Sequence, residues 1–296
     1  MICPQRSIIC DHNASRIRSI LASTTLFLHR RLIKLKIIIM SASLTLSTHP
    51  SIPYLLRIGD SCLILAQRLS EWCGRAPVLE EDIVLSNVAL DLLGQSRAVL
   101  THAGQLDAHH YDEDQLAFLR DERDYRNLTL VELPRGDFAF TVLRNFLMAS
   151  FFKNLWAELH HSTDKELAGI AAKAVKEAAY HQRHAADWVI CLGQGTAESQ
   201  HRLCQALAKM WPYTPEIFSD DDIDQHAAQS GLGPRWSLLR KSWLDEIDAV
   251  FDAAGLERPN EGAFLSTGKN GRHSEHMGYI LAEMQTLQRS FPGGVW

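Results

Sequence analysis

Acidic and histidine side chains recur at helical spacing in two stretches of the chain, in a pattern close to that of an iron site. A carboxylate-bridged di-iron centre takes one Glu from each of two helices and a Glu-x-x-His pair from each of the other two. The first stretch offers Asp91 but has Gly94 three residues later. The second offers Glu177 but has Tyr180 at that position, with His181 one residue further on. The question is therefore whether the chain is a catalyst or a related scaffold.

The elements that would position these residues are all helices. From residue 53 onward no alternating segment is long enough to predict a strand, and apolar residues recur at helical spacing. Pro53 suits the first turn of a first long helix, where its missing N–H group costs nothing. A second helix at about 80–106 is apolar on nearly all sides, which predicts a central place in the core.

Two more long helices follow a polar stretch at 107–136, which is expected to hold a short helix and a crossover. Asp137 is predicted to cap the third, which runs to about residue 161, and either Thr163 or Asp164 to cap the fourth. Shorter helices are expected at about 197–211, 234–254 and 274–291, joined by connections at 212–233 and 255–272. The pattern predicts an all-α fold, a ferritin-like four-helix bundle with additional C-terminal helices.

The first 50 residues differ in charge from the rest of the chain. They carry seven Lys and Arg against Asp11, which leaves −11 for the remainder of a chain whose total is −5. A transit peptide or signal anchor is one interpretation, but Arg30 and Arg31 interrupt apolar runs too short to span a bilayer. The preferred interpretation is an over-extended start or a disordered tail, with Met40 as a natural start. Residues 1–48 are expected to lie outside one helical domain at 49–296.

Composition argues against several classes of protein. The acidic remainder has no basic stripe of the kind used to bind nucleic acid. The six cysteines are scattered without a C-x-x-C pair, which indicates reduced thiols in a cytosolic protein rather than a disulfide framework. No phosphate-binding glycine loop or nucleophile elbow is present in the sequence.

Carboxylates are available on the predicted bundle, although the two histidine ligands are missing. Literal Glu-x-x-His matches at Glu158/His161 and Glu198/His201 fall at a helix end and in a connection, and they are interpreted as chance. No functional di-iron site is therefore expected, and four carboxylates are interpreted as vestigial positions: Glu71, Asp91, Glu158 and Glu177.

His181 lies on the apolar stripe of the fourth helix and has two interpretations. It is either a displaced metal ligand or, as we prefer, a buried histidine hydrogen-bonded to an acid such as Glu177 or Glu158. Asp91 is either a vestigial ligand or the partner of Arg97 or another buried cation. A buried carboxylate without a metal must find a donor, so a polar network across the bundle centre is expected.

Two charged runs lie outside the bundle helices. The run 120–127 is typical of a solvated face, yet its arginines, tyrosine and asparagine also suit phosphate and adenine contacts. The run 273–279 contains two histidines and a glutamate without a second ligand cluster, and it is interpreted as an interface or capping feature.

Several motifs in fixed order resemble one family, the C subunits of ring-1,2-phenylacetyl-CoA epoxidases. The likeness covers about residues 55–296 and ends with Pro-Gly-x-x-Trp296. The motifs that carry it are Arg57-Ile-Gly-Asp60, Gln67-Arg-Leu-x-Glu-Trp-Cys-Gly74, Leu90-Asp-Leu-Leu-Gly-Gln95, Arg120-Asp-Glu-Arg123, Lys176-Glu-Ala-x-Tyr-His181, His273-x-Glu-His-x-Gly278 and Leu281-Ala-Glu-Met-Gln285.

The resemblance implies a non-catalytic, structural subunit of a multicomponent monooxygenase for aerobic phenylacetate breakdown in the cytoplasm. In that family a separate ferritin-like A subunit holds the di-iron centre, a small B subunit bridges components, and a reductase with FAD and [2Fe-2S] delivers electrons from NADPH. The C subunit itself would hold no cofactor and no catalytic residue. It would pair with the A subunit and not with nucleic acid or a membrane.

The resemblance also implies contacts near the coenzyme A side of the substrate, at Asp124, Tyr125, Arg126, Asn127, Gln225, His226 and Ala227. Two rival functions remain open. One is an active di-iron oxygenase with an atypical site built from the four vestigial carboxylates and His181. The other is a free-standing helical module that binds acyl-CoA.

Overall fold

The computed structural model describes residues 43–260, 262–291 and 294, and every regular element in that part of the chain is a helix. The nearest approach to a sheet among these residues is a single bridge between Thr267 and Arg272. The α-helices are α1 (Ile52–Ser70), α2 (Leu79–Leu106), α3 (Glu113–Phe118), α4 (Thr129–Glu132), α5 (Phe138–Leu159), α6 (Lys165–Gln194), α7 (Ala197–Met210), α8 (Asp222–Ser230), α9 (Arg240–Ala254) and α10 (Glu275–Ser290).

Four long helices form the predicted bundle. Helix α1 packs along α2, α5 packs along α6, and α2 lies beside α6. The crossover from α2 to α5 contains α3 and α4. Helices α7 and α9 each pack against both α5 and α6. The prediction of an all-α, ferritin-like bundle with additional C-terminal helices is confirmed.

Local signals in the sequence explain where the bundle helices begin. Pro53 occupies the first turn of α1. The Asp137 carboxylate accepts a hydrogen bond from the Phe140 N–H group at 2.9 Å and so caps α5. The structure resolves the choice for α6 in favour of Asp164, whose carboxylate accepts from the Leu167 N–H group at 3.1 Å. Such caps satisfy N–H groups that have no partner within the helix.

The prediction that α2 is buried on nearly all sides does not hold for its outer side. Its inner side packs against α1 and α6, but Leu79 is 73% exposed and Leu90 is 64% exposed. The prediction is wrong for the outer side because the helices that pack most extensively on α2, which are α1, α6 and α3, leave Leu79 and Leu90 exposed. By length and composition α2 is also the one described helix that could cross a membrane.

The predicted connection at 212–233 is wrong, because it contains a 3-10 helix (Trp211–Phe218) and then α8. The acidic run that suggested a loop is a capping box, in which the Asp221 side chain accepts from the Ile223 and Asp224 N–H groups. Gly231 ends α8 in the left-handed region, with φ of 72°. The helix expected from residue 234 begins as a 3-10 turn, Trp236–Leu239, before α9.

Residues 1–42 of the expected N-terminal extension lie outside the described part of the chain, whereas residues 43–48 lie against the helical domain. The Ser47 N–H group donates to the Asp107 carboxylate at 2.6 Å. Leu44 and Leu46 are partly buried against the hydrophobic core. These contacts attach the C-terminal end of the expected extension to the domain, and the boundary at residue 49 stays a prediction.

Candidate functional site

A small cavity lies at the centre of the bundle, where all four long helices meet. Its volume of about 10 Å³ is close to the minimum that holds one water molecule. This is the place where a ferritin-like di-iron centre would draw ligands from facing helices. The cavity is lined by Leu65, Val88, Leu92, Gln95, Asn145, Ala149, Phe152, Ala178 and His181.

The inward-facing positions are displaced by one residue from those expected. Gln95 and His181 are buried and line the cavity, whereas Gly94 and Tyr180 lie on the outer surface. Tyr180 is 48% exposed, and a Cβ atom on Gly94 would meet nothing within 4 Å. The expectation that Gly94 and Tyr180 occupy the histidine-ligand positions is therefore wrong, because one residue along a helix is a rotation of about 100°.

The side chains around the cavity do not fit a di-iron centre. With His181 in the inward position, the residue one turn earlier on α6 is Ala178, and the residue one turn before Gln95 on α2 is Leu92. The donors are thus one imidazole and the amides of Gln95 and Asn145, without the carboxylates that bridge two irons. Within the described residues no group of three or more His, Cys, Asp or Glu side chains could hold a metal ion.

His181 is buried and hydrogen-bonded to an acid, as preferred, but that acid is Asp91 and not Glu177 or Glu158. His181 Nε2 lies 2.9 Å from Asp91 Oδ2. Glu158 lies exposed near the end of α5 and cannot reach the bundle centre, while Glu177 accepts from the Gln95 amide at 2.9 Å. Burial lowers the pKa of His181, although the hydrogen bond and charge of Asp91 oppose this effect.

Glu71, the last of the four vestigial positions, and the other candidate residues lie away from the cavity. Glu71 follows α1 and pairs with Arg68 at 2.6 Å. Arg97 pairs with Glu113 at 2.8 Å, so the alternative that Arg97 is the partner of Asp91 is wrong. Glu198 and His201 lie exposed on α7 rather than in a connection.

Four polar pairs join α2 to α6 along their length, and we call them the α2/α6 seam. Because the two helices run antiparallel, the residue numbers of the α2 partners increase along the seam while those of the α6 partners decrease. Three pair a histidine with a carboxylate and one pairs two polar side chains without a cation. They are Glu81–His184 at 3.2 Å, Asp91–His181 at 2.9 Å, Gln95–Glu177 at 2.9 Å and His102–Asp164 at 2.7 Å.

A second set of pairs, the crossover network, ties the crossover and the C-terminal segment to the bundle. Its members are buried and distant in sequence. Arg120 on the crossover donates to Asp60 of α1, with Nη1 3.0 Å from Oδ2. The three pairs that define the network are Arg57–Asp224 at 3.0 Å, Asp60–Arg120, and Glu132–His273 at 2.6 Å.

The Glu132 carboxylate is fully hydrogen-bonded within this network. It accepts from His273 Nδ1 at 2.6 Å and from the Asn127 amide at 2.9 Å. The backbone N–H and the hydroxyl of Ser274 supply two more donors, at 2.8 Å and 2.7 Å. Burial opposes the charge on His273, but the hydrogen bond to Glu132 and its charge outweigh burial and raise the pKa of His273.

The two stretches expected near coenzyme A meet on one side of α1. The Arg126 N–H group donates to Asp60 at 2.8 Å, and Asp224, next to the second stretch, pairs with Arg57 one turn earlier on α1. A contact with coenzyme A stays a prediction for all seven residues. Their accessibility differs: Tyr125, Asn127 and Ala227 are buried, Asp124, Arg126 and His226 are half-buried, and Gln225 is exposed.

The sequence could have indicated two of the residues that were missed. Gln95 continues the inward spacing of Val88 and Leu92 on α2, and Asn145 shares the spacing of Ala149 and Phe152 on α5. The helical period alone thus assigns Gln95 to the core side. No comparable local signal exists for Asp224, because its partner lies 167 residues earlier.

The bundle and its cavity together define a class: ferritin-like helical subunits whose central positions carry no bridging carboxylates. The model of the phenylacetic acid catabolic protein family matches residues 40–296, and the chain belongs to this family. A curated relative is the C subunit of the 1,2-phenylacetyl-CoA epoxidase of Escherichia coli K12. It is 47% identical over 243 residues, which cover 82% of this chain and 98% of that protein. The resemblance found from the sequence motifs is confirmed.

Proposed function

We propose that the chain is the non-catalytic, structural subunit of a 1,2-phenylacetyl-CoA epoxidase and supports a di-iron catalytic subunit in aerobic phenylacetate breakdown. The 47% identity to a curated C subunit over nearly the whole of that protein supports the assignment to this complex. A subunit of this kind works with partner subunits in the cytoplasm, in line with its six scattered cysteines.

The observation that carries the non-catalytic role is the identity of the side chains at the bundle centre. Leu65, Leu92, Ala149 and Ala178 face the cavity, so the site cannot supply the carboxylate bridges of a di-iron centre. Two nearby carboxylates, Asp91 and Glu177, are held in hydrogen bonds across the α2/α6 seam.

The rest of the proposed machinery belongs to other chains. The catalytic subunit supplies the di-iron centre, a small subunit bridges the components, and a reductase with FAD and [2Fe-2S] supplies electrons from NADPH. This chain contributes helices that brace the catalytic subunit around phenylacetyl-CoA. In the two predicted stretches Gln225 is exposed and Asp124, Arg126 and His226 are half-buried, so the accessibility of these four residues suits contact with the coenzyme A side.

Co-expression with the catalytic subunit from the same organism tests the proposal. We expect the two chains to elute together from size-exclusion chromatography, and epoxidation of phenylacetyl-CoA to need both. Iron analysis of the separated chains should find iron in the catalytic subunit alone. Stoichiometric iron in this chain that is lost in a His181→Ala variant would establish the rival oxygenase, and tight CoA binding by the lone chain would favour the binding module.

A further inference from the structure

The outer side of α2 carries large apolar side chains that no described element covers. Ile83 is 53% exposed and Leu90 is 64% exposed, and Tyr180 of the neighbouring α6 is 48% exposed. We call Leu79, Ile83, Leu90 and Tyr180 the apolar strip. Between Ile83 and Gly94 the exposed residues of α2, Asn87 and Leu90, are uncharged, and the one charged residue, Asp91, pairs with His181.

Cations line the α6 side of this strip. Lys173, Lys176 and Arg183 are exposed and lie on the same side of α6 as Tyr180, and we call them the cationic rim. Lys173 approaches Glu177 at 3.4 Å, but Lys176 and Arg183 have no ion pair within the described part of the chain. Two exposed acids, Glu166 and Asp187, lie on the same face of α6 near its two ends, so the charges that directly flank Tyr180 are those of Lys176 and Arg183.

A groove continues the apolar strip between the two helices. It has a volume of about 270 Å³, and its lining includes Gly94 and Ala98 of α2, Gly169 and Ile170 of α6, and the charged side chains of Glu166, Lys173 and Glu177. A Cβ atom on either glycine would meet nothing within 4 Å. The missing side chains thus leave room for a side chain from another molecule.

We propose that this outer surface of α2 and α6 docks the di-iron catalytic subunit, through a helix that presents apolar side chains flanked by carboxylates. The inference rests on the function proposed above and adds the surface and the chemistry of the partner. Charge complementarity selects the occupant, because Lys176 and Arg183 lack an acidic partner within the described chain. A second copy would pair the surface with itself in a two-fold dimer and bring two cationic rims together.

The strip is tested by the affinity of the purified chain for the catalytic subunit, measured by calorimetry. Leu90→Glu places a charge at the centre of the strip and should raise Kd by about thirtyfold or more. Leu238→Glu is the matched control, because Leu238 is 63% exposed on a 3-10 helix that packs on α5 and α9, and it should leave Kd unchanged within error. Both changes lie on the surface, so circular dichroism should find both variants folded.

The rim is tested by charge reversal and by salt. Lys176→Glu combined with Arg183→Glu should weaken the complex and reduce the dependence of Kd on ionic strength. Lys209→Glu on α7 is the matched control and should change neither. If Leu90→Glu binds as tightly as the parent chain, or if it instead dissolves a dimer of the lone chain, the surface is assigned wrongly. If the parent chain itself forms no complex with the catalytic subunit, the result contradicts the proposed function and not only the assigned surface.

Discussion

The α2/α6 seam and the crossover network both pair histidine with carboxylate, but only the network takes both partners out of water. In the seam, the Asp91 side chain is 40% exposed while its partner His181 is buried. In the network, the side chains of Glu132 and His273 are both fully buried. Water can therefore solvate part of a seam pair, whereas a network pair depends on protein donors alone.

The difference in burial matches a difference in what the pairs connect. The seam joins two helices that already lie side by side in the bundle. The network instead joins separate segments: the crossover and α8 to α1 through Asp60–Arg120 and Arg57–Asp224, and the C-terminal segment to α4 through Glu132–His273. We infer that the network fixes the crossover and the C-terminal segment on α1, while the seam adjusts the spacing of two helices beneath the proposed docking surface.

Breaking a network pair should have the largest effect on stability. Asp60→Ala removes the carboxylate that accepts from Arg120 and from the Arg126 N–H group, and it leaves a fully buried guanidinium without its anion. We expect a loss of about 3–5 kcal/mol in the free energy of unfolding, measured by urea denaturation. Lys241→Ala, which removes an exposed ion pair with Asp245, should leave the midpoint unchanged. An equal loss of unfolding free energy in the two variants would contradict the contrast between buried and solvated pairs.

Replacement of a polar residue at the bundle centre by an apolar one should not lower the free energy of unfolding. Asn145 is buried beside the cavity, and its Oδ1 atom has no hydrogen-bond partner in the described structure. Asn145→Leu removes this acceptor and should stabilise the chain by about 1–2 kcal/mol in the same urea assay. Asn127→Leu is the matched control. The Asn127 amide donates to Glu132, so this variant should destabilise the chain. Destabilisation by Asn145→Leu would indicate a polar role for the centre.

The sequence was most informative where interactions are local. The cap at Asp137, the two candidate caps at Thr163 and Asp164, and Pro53 in the first turn of α1 lie within a few residues of what they organise, so the bundle could be predicted. His181 was placed correctly on the inward stripe of α6, but the ligand positions were set at Gly94 and Tyr180, one residue too early, because a spacing of three residues does not say which face of the helix it occupies. The network pairs could not be predicted, because Asp224 and Arg57 meet only after the whole chain has folded.

Two histidines, His181 of the seam and His273 of the network, should respond to pH with opposite signs. The pKa of His181 is lowered from 6.5 by burial, so the folded chain binds fewer protons there and stability falls as pH drops below about 6.5. The pKa of His273 is raised by Glu132, so its contribution is complete below pH 6.5 and is lost as pH rises through the raised value.

Glutamine variants of each histidine separate the two contributions. The free energy of unfolding of the parent chain minus that of His181→Gln should increase with pH just below 6.5. The same difference for His273→Gln should decrease with pH above 6.5. Urea denaturation at a series of pH values measures both differences, and slopes of the same sign would remove the proposed distinction between seam and network.

The smallest expected effect distinguishes packing inside α2 from docking outside it. Gly94→Ala adds a methyl group to an exposed helical position with open space around it, so the isolated chain should gain about 0.5–1 kcal/mol in a urea titration. Gly104→Ala in the same helix is the matched contrast, because its Cβ would collide with the Tyr111 carbonyl oxygen and should destabilise. A glycine that weakens its own helix without packing against its own chain is explained if a partner enters the groove. Gly94→Leu should therefore fold normally yet weaken the complex with the catalytic subunit, and unchanged affinity would leave the groove without that explanation.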